Sequence, residues 1–182
     1  MSKPLTIKVV VVGDVGVGKS KFRQKATTFN FSTNYRPTTG ITIGSRRFQV
    51  FGYEGAYSLH FPSVEKRFEN IRPIFYRGTH LLIVIYDNRY ETFQNIPKWV
   101  QEVFTHSQKS LKLIILLGNQ LGVNREELHS FNLNRIYQSL QKITGMDRNS
   151  FYHQSIQFLE NYDFNTFFRT VTEKLFSEEL SR

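Results

Sequence analysis

The sequence predicts an α/β fold in which a mostly parallel sheet is covered by helices on both faces. Three observations carry this. Apolar runs alternate with helical segments along the whole chain. Two of those runs, Leu81–Tyr86 and Leu113–Leu117, are continuous rather than alternating, as strands buried on both faces should be. A glycine-rich turn also joins the first apolar run to the first helix.

Each element has its own signal. Ile7–Val12 is a continuous apolar strand, and Lys19–Phe29 reads as the helix that follows it. Ile41–Phe51 and Ala56–Phe61 read as two strands joined through Gly52-Tyr53-Glu54-Gly55, a hairpin-like turn. Between the two continuous strands, Phe93, Ile96, Val100 and Val103 share one helical face. Leu133, Ile136, Leu140 and Ile143 mark another helix, and Phe164, Phe167, Phe168, Val171 and Leu175 mark the last. No repeat, low-complexity run or Pro/Gly-rich linker interrupts the order, so residues 1–182 are expected to form one domain.

Chemistry enters at the first turn. Gly13-Asp14-Val15-Gly16-Val17-Gly18-Lys19-Ser20 has the spacing G-x-x-x-x-G-K-[ST], with a strand before it and a helix after. Glycines let successive backbone N–H groups turn inward around phosphate oxygens, and the helix N-terminus adds partial positive charge. Lys19 is placed to reach the outer phosphates and the Ser20 hydroxyl to ligate Mg²⁺. Asp14, Val15, Gly16, Val17 and Gly18 supply the cradle.

Composition narrows the classes. Hydrophobic residues make up 40% of the chain and charged residues 21%, which excludes a disordered chain. No apolar run approaches the ~20 residues of a membrane span, and Val9–Val12 is too short for a signal-peptide core. Cys is absent, so disulfides, Cys-based zinc sites, thiol nucleophiles and prenyl or palmitoyl anchors are excluded within this sequence. The five His residues show no metal-ligand spacing. The expected compartment is reducing and cytoplasmic. The net charge of +9 comes from 24 Lys+Arg and 15 Asp+Glu, and it lies entirely in residues 1–80. No carboxylate occurs between Asp14 and Glu54. Such a one-sided excess points to an anionic partner.

Further segments resemble the Rab branch of the Ras superfamily of small GTPases, which have a phosphate-loop NTPase fold. Tyr35-Arg36-Pro37-Thr38-Thr39-Gly40-Ile41 resembles the first switch, with Thr38 at the Mg²⁺-coordinating threonine. Arg67-Phe68, followed by Phe75-Tyr76-Arg77-Gly78-Thr79-His80, resembles the stretch after the second switch. Tyr86-Asp87, then Glu91-Thr92-Phe93-Gln94-Asn95 with Trp99 and Gln101-Glu102, looks like the following strand and helix, one residue shorter than usual. Leu116-Leu117-Gly118-Asn119 occupies the base-recognition strand. The resemblance runs from about Ile7 to Phe176. It implies a six-stranded sheet with about five helices, a GTP or GDP ligand with Mg²⁺, and nucleotide contacts from Asn119 and Ser155.

The departures fall on the chemistry. Where the family has D-T-A-G-Q-E, this chain has Phe61-Pro62-Ser63-Val64-Glu65-Lys66. Phe61 replaces the aspartate that holds a Mg²⁺-bound water. Val64 replaces the glycine whose N–H meets the γ-phosphate. Glu65 replaces the glutamine that orients attacking water, and its charge would repel the γ-phosphate. No residue is therefore assigned as catalytic. The base motif N-K-x-D reads Asn119-Gln120-Leu121-Gly122, and S-A-K reads Ser155-Ile156-Gln157, so guanine selectivity is expected to be largely lost. Val15 puts a branched side chain into the phosphate loop. Three positions that are usually acidic are Thr42, Phe61 and Lys66, and their loss accounts for much of the charge excess.

Rab proteins present an aromatic triad to partners, and the matching positions are Ile43, His60 and Phe75. With Arg46, Arg47, Lys66, Arg67 and Arg72 nearby, an acidic effector or scaffold protein is the expected partner, and nucleic acid is not. The chain ends Glu178-Glu179-Leu180-Ser181-Arg182 without a prenylatable cysteine. Either a lipidated tail lies outside this sequence, or any membrane association is peripheral and recruited by partners. Three functions stay open: a pseudo-GTPase interaction module in vesicle trafficking or a related assembly, a slow GTP/GDP switch, and a phosphate-loop ATPase or kinase using Asp87 at the end of Leu81–Asp87. For Asp87 the expected role is the satisfaction of backbone donors.

Overall fold

The computed structural model describes residues 5–27, 40–50, 53–107, 109–120, 132–156 and 162–180. Its strands are β1 (Leu5–Val12), β2 (Ile41–Val50), β3 (Tyr53–Pro62), β4 (Leu81–Asp87), β5 (Leu113–Asn119) and β6 (Phe151–Ile156). Its helices are α1 (Lys19–Ala26), α2 (Tyr90–Gln94), α3 (Ile96–His106), α4 (Leu133–Thr144) and α5 (Phe164–Leu180), with 3₁₀ turns at Lys66–Phe68, Arg72–Tyr76 and Arg148–Ser150. The sheet has six strands in the order β2-β3-β1-β4-β5-β6. Only β2 and β3 pair antiparallel; every other neighbour pair is parallel. The expected α/β class is therefore what forms.

The continuous apolar runs are central strands. Every residue of β4 and of β5 is buried. Alternate side chains of β1, β4 and β5 feed two cores on opposite faces of the sheet. On one face, Val9, Val11, Ile83, Ile85 and Ile115 pack with Phe22 of α1 and with Phe164, Phe167 and Phe168 of α5. On the other, Val10, Leu82, Val84 and Leu116 pack with Ile96, Trp99, Val100 and Val103 of α3 and with Ile136 and Leu140 of α4. Each buried Phe or Leu contributes roughly 1.5–3 kcal/mol.

Several boundaries differ from the expectation for identifiable reasons. The helix read as Lys19–Phe29 ends at Ala26, where the Thr27 hydroxyl and N–H both bond to the Arg23 carbonyl; residues 28 and 29 lie outside the described residues. Tyr53, Glu54 and Gly55 belong to β3 rather than to a turn, because Val50 already pairs with Tyr53. The single apolar helical face at Phe93–Val103 is split into α2 and α3 around Asn95. Pro97 has no N–H to offer the Phe93 carbonyl, so the ladder breaks while the apolar face continues. α4 is capped at both ends: the Asn132 side chain accepts from the Arg135 N–H, and Gly145 adopts φ +68° at the C-terminus.

Candidate functional site

The phosphate loop lies where β1 meets α1. Gly13 adopts φ +140°, and a Cβ there would lie 2.1 Å from the Ile85 carbonyl oxygen, so only glycine fits against β4. Gly18 is left-handed at φ 105° and leads into Lys19, the first residue of α1. Lys19 folds back over the loop: its Nζ donates to the Gly13 carbonyl at 2.8 Å and to that of Asp14. Burial pushes its pKa down to about 8, Asp14 opposes this, and Arg89 adds to it. A desolvated ammonium held by two neutral carbonyls gains a charged partner when an anion takes their place.

A cavity of about 470 Å³ opens beside the loop, lined among others by Gly16, Lys19, Ser20, Thr42, Phe61 and Glu65. Of the residues expected to hold phosphate and metal, Val15, Gly16, Gly18, Lys19 and Ser20 line it. Ser20 and Val15 both line it and are exposed, Val15 to 70%. Thr38 lies outside the described residues, as do Leu121, Gly122 and Gln157. Asn119 is buried, and its amide donates to the Val17 carbonyl at 2.9 Å, fastening the loop to β5. Ser155 is exposed on β6, opposite Gly118.

Asp14 belongs to the predicted phosphate cradle, which uses backbone N–H groups, and its carboxylate is turned toward the start of α3. There it accepts from Asn95 Nδ2 at 2.8 Å and from Trp99 Nε1 at 2.9 Å. A carboxylate aimed at phosphate would repel it; aimed at Asn95, just before α3, and at Trp99 on α3, it anchors the loop. The sequence spacing alone did not single out Asn95 or Trp99 as loop anchors.

The second-switch substitutions are built into the cores. Phe61 is 8% exposed, joins the α1/α5 core and stands 6.3 Å from the Phe22 ring, centroid to centroid. Val64 packs against the opposite core. The Ser63 N–H donates to the Gly40 carbonyl at 2.6 Å. Gly40, at φ +65°, is covered so closely by Phe68 that a Cβ would meet the ring at 2.5 Å. Glu65 pairs with Arg67 at 2.7 Å on the surface. For Mg²⁺, Ser20 offers a hydroxyl, the nearby Glu65 carboxylate is paired with Arg67, and an aromatic ring stands where a carboxylate would support the cation's water.

Asp87 is also committed. Its carboxylate accepts from the Arg89 N–H, from Arg89 Nε and Nη2, and from the Thr92 hydroxyl. Burial opposes its charge, but these bonds outweigh burial and hold its pKa below the ordinary value. The expected backbone-donor role is present, with an arginine added.

On the proposed partner face, Ile43 and His60 are paired directly across β2 and β3, while Phe75 sits half-buried on the Arg72–Tyr76 turn. Burial, and secondarily Lys8, pushes the His60 pKa down to about 4, so the ring is neutral. Ile74, 63% exposed, and Ile71 extend the apolar surface beyond the expected triad. The basic patch is smaller than the sequence suggested. Arg46 is buried: it donates to the Ala26 carbonyl at 3.0 Å and lies over the Phe168 ring. Arg72 is buried against Glu102 at 2.9 Å, which also accepts from the Tyr76 hydroxyl. Arg47, Lys66 and Arg67 remain exposed, and Arg67 is paired with Glu65.

The loop from β1 to α1 thus sets Lys19, at the start of α1, over the loop's own carbonyls within a β2-β3-β1-β4-β5-β6 sheet. The Ras family model matches residues 8–176. The chain belongs to the Ras family. Its relatives include Ras-related protein RIC2 of Oryza sativa subsp. japonica, 32% identical over 114 residues, which are 62% of this chain and 52% of that protein. Ras-related protein RabC of Dictyostelium discoideum is 32% identical over 123 residues, 66% of this chain and 62% of that protein. Ras-related protein RABA1h of Arabidopsis thaliana is 32% identical over 118 residues, 64% of this chain and 54% of that protein. The matches thus span between half and two thirds of these relatives. A Ras-family domain implies GTP or GDP with Mg²⁺, and effector proteins, in general terms. Among the described residues, no helix is long and apolar enough to cross a membrane.

Proposed function

We propose that this chain is a Rab-like interaction module, one domain over residues 1–182, that holds nucleotide by its phosphates and hydrolyses it poorly or not at all. The observation that carries the reading is Phe61: its ring is part of the hydrophobic core and lines the cavity where the family has a Mg²⁺-supporting carboxylate. Val64 and Glu65 add to it, one drawn into the opposite core and the other paired with Arg67. Ser20 and Thr38 are the residues that would ligate Mg²⁺, which would bind weakly through them and the phosphate oxygens. Base contacts from Asn119 and Ser155 would be too few for strong guanine selectivity. The partner is an effector or scaffold protein docking on Ile43, His60 and Phe75, in membrane trafficking or a related assembly. The chain would be cytoplasmic and reach membranes through that partner.

A second reading, a slow GTP/GDP switch, rests on Lys19 and Ser20, which keep their place beside the cavity. The ATPase or kinase reading loses support, because the Asp87 oxygens are taken up by Arg89 and Thr92. Denaturing the purified protein and chromatographing the released nucleotide separates the three. Co-purified GTP supports the proposed module, GDP supports the slow switch, and ADP or ATP supports the third. A site that is empty and ignores fluorescent nucleotides would overturn the nucleotide-holding part of the proposal.

A further inference from the structure

The loop between β4 and α2 carries a cation that neither the motif nor the family resemblance assigns. Arg89 leaves the chain two residues after Asp87 and lies along the phosphate loop. Its Nη2 donates to the Val15 carbonyl at 2.9 Å, and a Cβ on Gly16 would stand 3.5 Å from the same nitrogen. The guanidinium is fixed from behind. Nε lies 3.0 Å from both Asp87 oxygens, and Nη2 lies 2.7 Å from Oδ2. The Asp87 carboxylate is itself buried and tied to Thr92. Because the fork is already oriented, little side-chain entropy remains to be lost on meeting an anion. The side chain is still 55% exposed, and Nη1 makes no bond among the described residues. Its charge reaches the cradle, since it contributes to depressing the Lys19 pKa.

We propose that Arg89 is a second cationic arm of the phosphate site, offering its free guanidinium edge to the polyphosphate chain beside Val15 and Gly16. The inference rests on the phosphate-loop reading above and adds a ligand-binding residue to it. It also has a physical motive. A polyphosphate needs positive charge around it, and Phe61 has removed part of the usual support for a divalent cation. A guanidinium anchored by a buried carboxylate supplies charge that does not depend on that metal.

The test is nucleotide affinity as a function of phosphate number, measured on the full chain with fluorescent GMP, GDP and GTP analogues. Arg89→Gln should weaken triphosphate binding about tenfold or more and monophosphate binding about threefold or less. Arg89→Lys should retain more of the triphosphate affinity than Arg89→Gln. Equal losses for all three nucleotides would mean that Arg89 only shapes the loop, and would overturn the inference. So would an Arg89→Gln affinity within about twofold of the parent while Lys19→Ala abolishes binding; that pattern would leave the phosphate-loop reading standing. If the parent chain binds none of the nucleotides, the phosphate-loop reading fails and the inference fails with it. Should Arg89→Gln not fold, the unmodified chain decides. Inorganic tripolyphosphate should slow modification of Arg89 by phenylglyoxal, read by peptide mass spectrometry, and leave the exposed Arg169 unaffected. Equal rates with and without tripolyphosphate would overturn the inference.

Discussion

Restoring the family's aspartate by Phe61→Asp should damage this protein rather than repair it. Phe61 is almost fully buried, touches the Phe22 ring and belongs to the core formed with α1 and α5. Removing a core phenylalanine costs about 3–5 kcal/mol. The new carboxyl group would then have to be buried or protonated among aromatic rings, for a further ~1–3 kcal/mol. For a domain of this length each kcal/mol lowers the melting temperature by roughly 2–4 °C, so a fall on the order of 10 °C or more is expected. Phe61→Leu, which keeps the site apolar, should cost only about 1–2 kcal/mol. Thermal melting followed by circular dichroism reads both variants, and GTP turnover with Mg²⁺ reads any gain of function. If Phe61→Asp melts within about 2 °C of the parent and gains Mg²⁺-dependent turnover, the position is a vacant metal site rather than a core position, and the reasoning fails.

Other outcomes follow from neighbouring contacts. Trp99→Phe removes the N–H donated to Asp14; it should cost about 1–3 kcal/mol in stability and weaken nucleotide binding, as melting and fluorescence titration would show. Arg72→Met leaves Glu102 partly buried without its cation, with an expected loss of about 2–4 kcal/mol. Adding Glu102→Gln should recover part of that loss in a double-mutant cycle. Lys19 has a folded-state pKa lowered to about 8 from 10.5. Below the lowered value both the folded and unfolded chains carry the proton; between the two values the unfolded chain binds more protons. Lys19 therefore penalises the folded state fully at neutral pH, and this penalty is relieved as pH rises through that window. Nucleotide affinity should move the opposite way and fall as pH rises above about 8, which titration at several pH values would detect. Lys19→Ala should abolish binding and that pH dependence together.

Much of this was readable from the chain itself. The buried strands announced themselves because continuous apolar runs such as Leu81–Ile85 have no polar face to show solvent. The phosphate loop was readable because its glycines are required by backbone geometry, as the clash of a Gly13 Cβ with β4 illustrates. What the sequence concealed were contacts between residues far apart along it. Asp14 sits in a phosphate motif, yet its partners Asn95 and Trp99 are more than eighty residues away on another element. Arg46 and Arg72 counted as surface charge until packing placed them against Phe168 and Glu102. Pro97 split a helix whose apolar periodicity ran on undisturbed. Composition records charge and periodicity records faces, but neither records which long side chain turns inward.

The most direct measurement for the central claim is a titration of the whole chain with GTP, with Mg²⁺ and with a chelator, while released inorganic phosphate is followed. The account predicts binding that depends on Lys19, changes by less than about threefold when Mg²⁺ is removed, and yields no phosphate above the uncatalysed rate. Affinity that Mg²⁺ tightens by about a hundredfold or more, together with steady phosphate release, would contradict it.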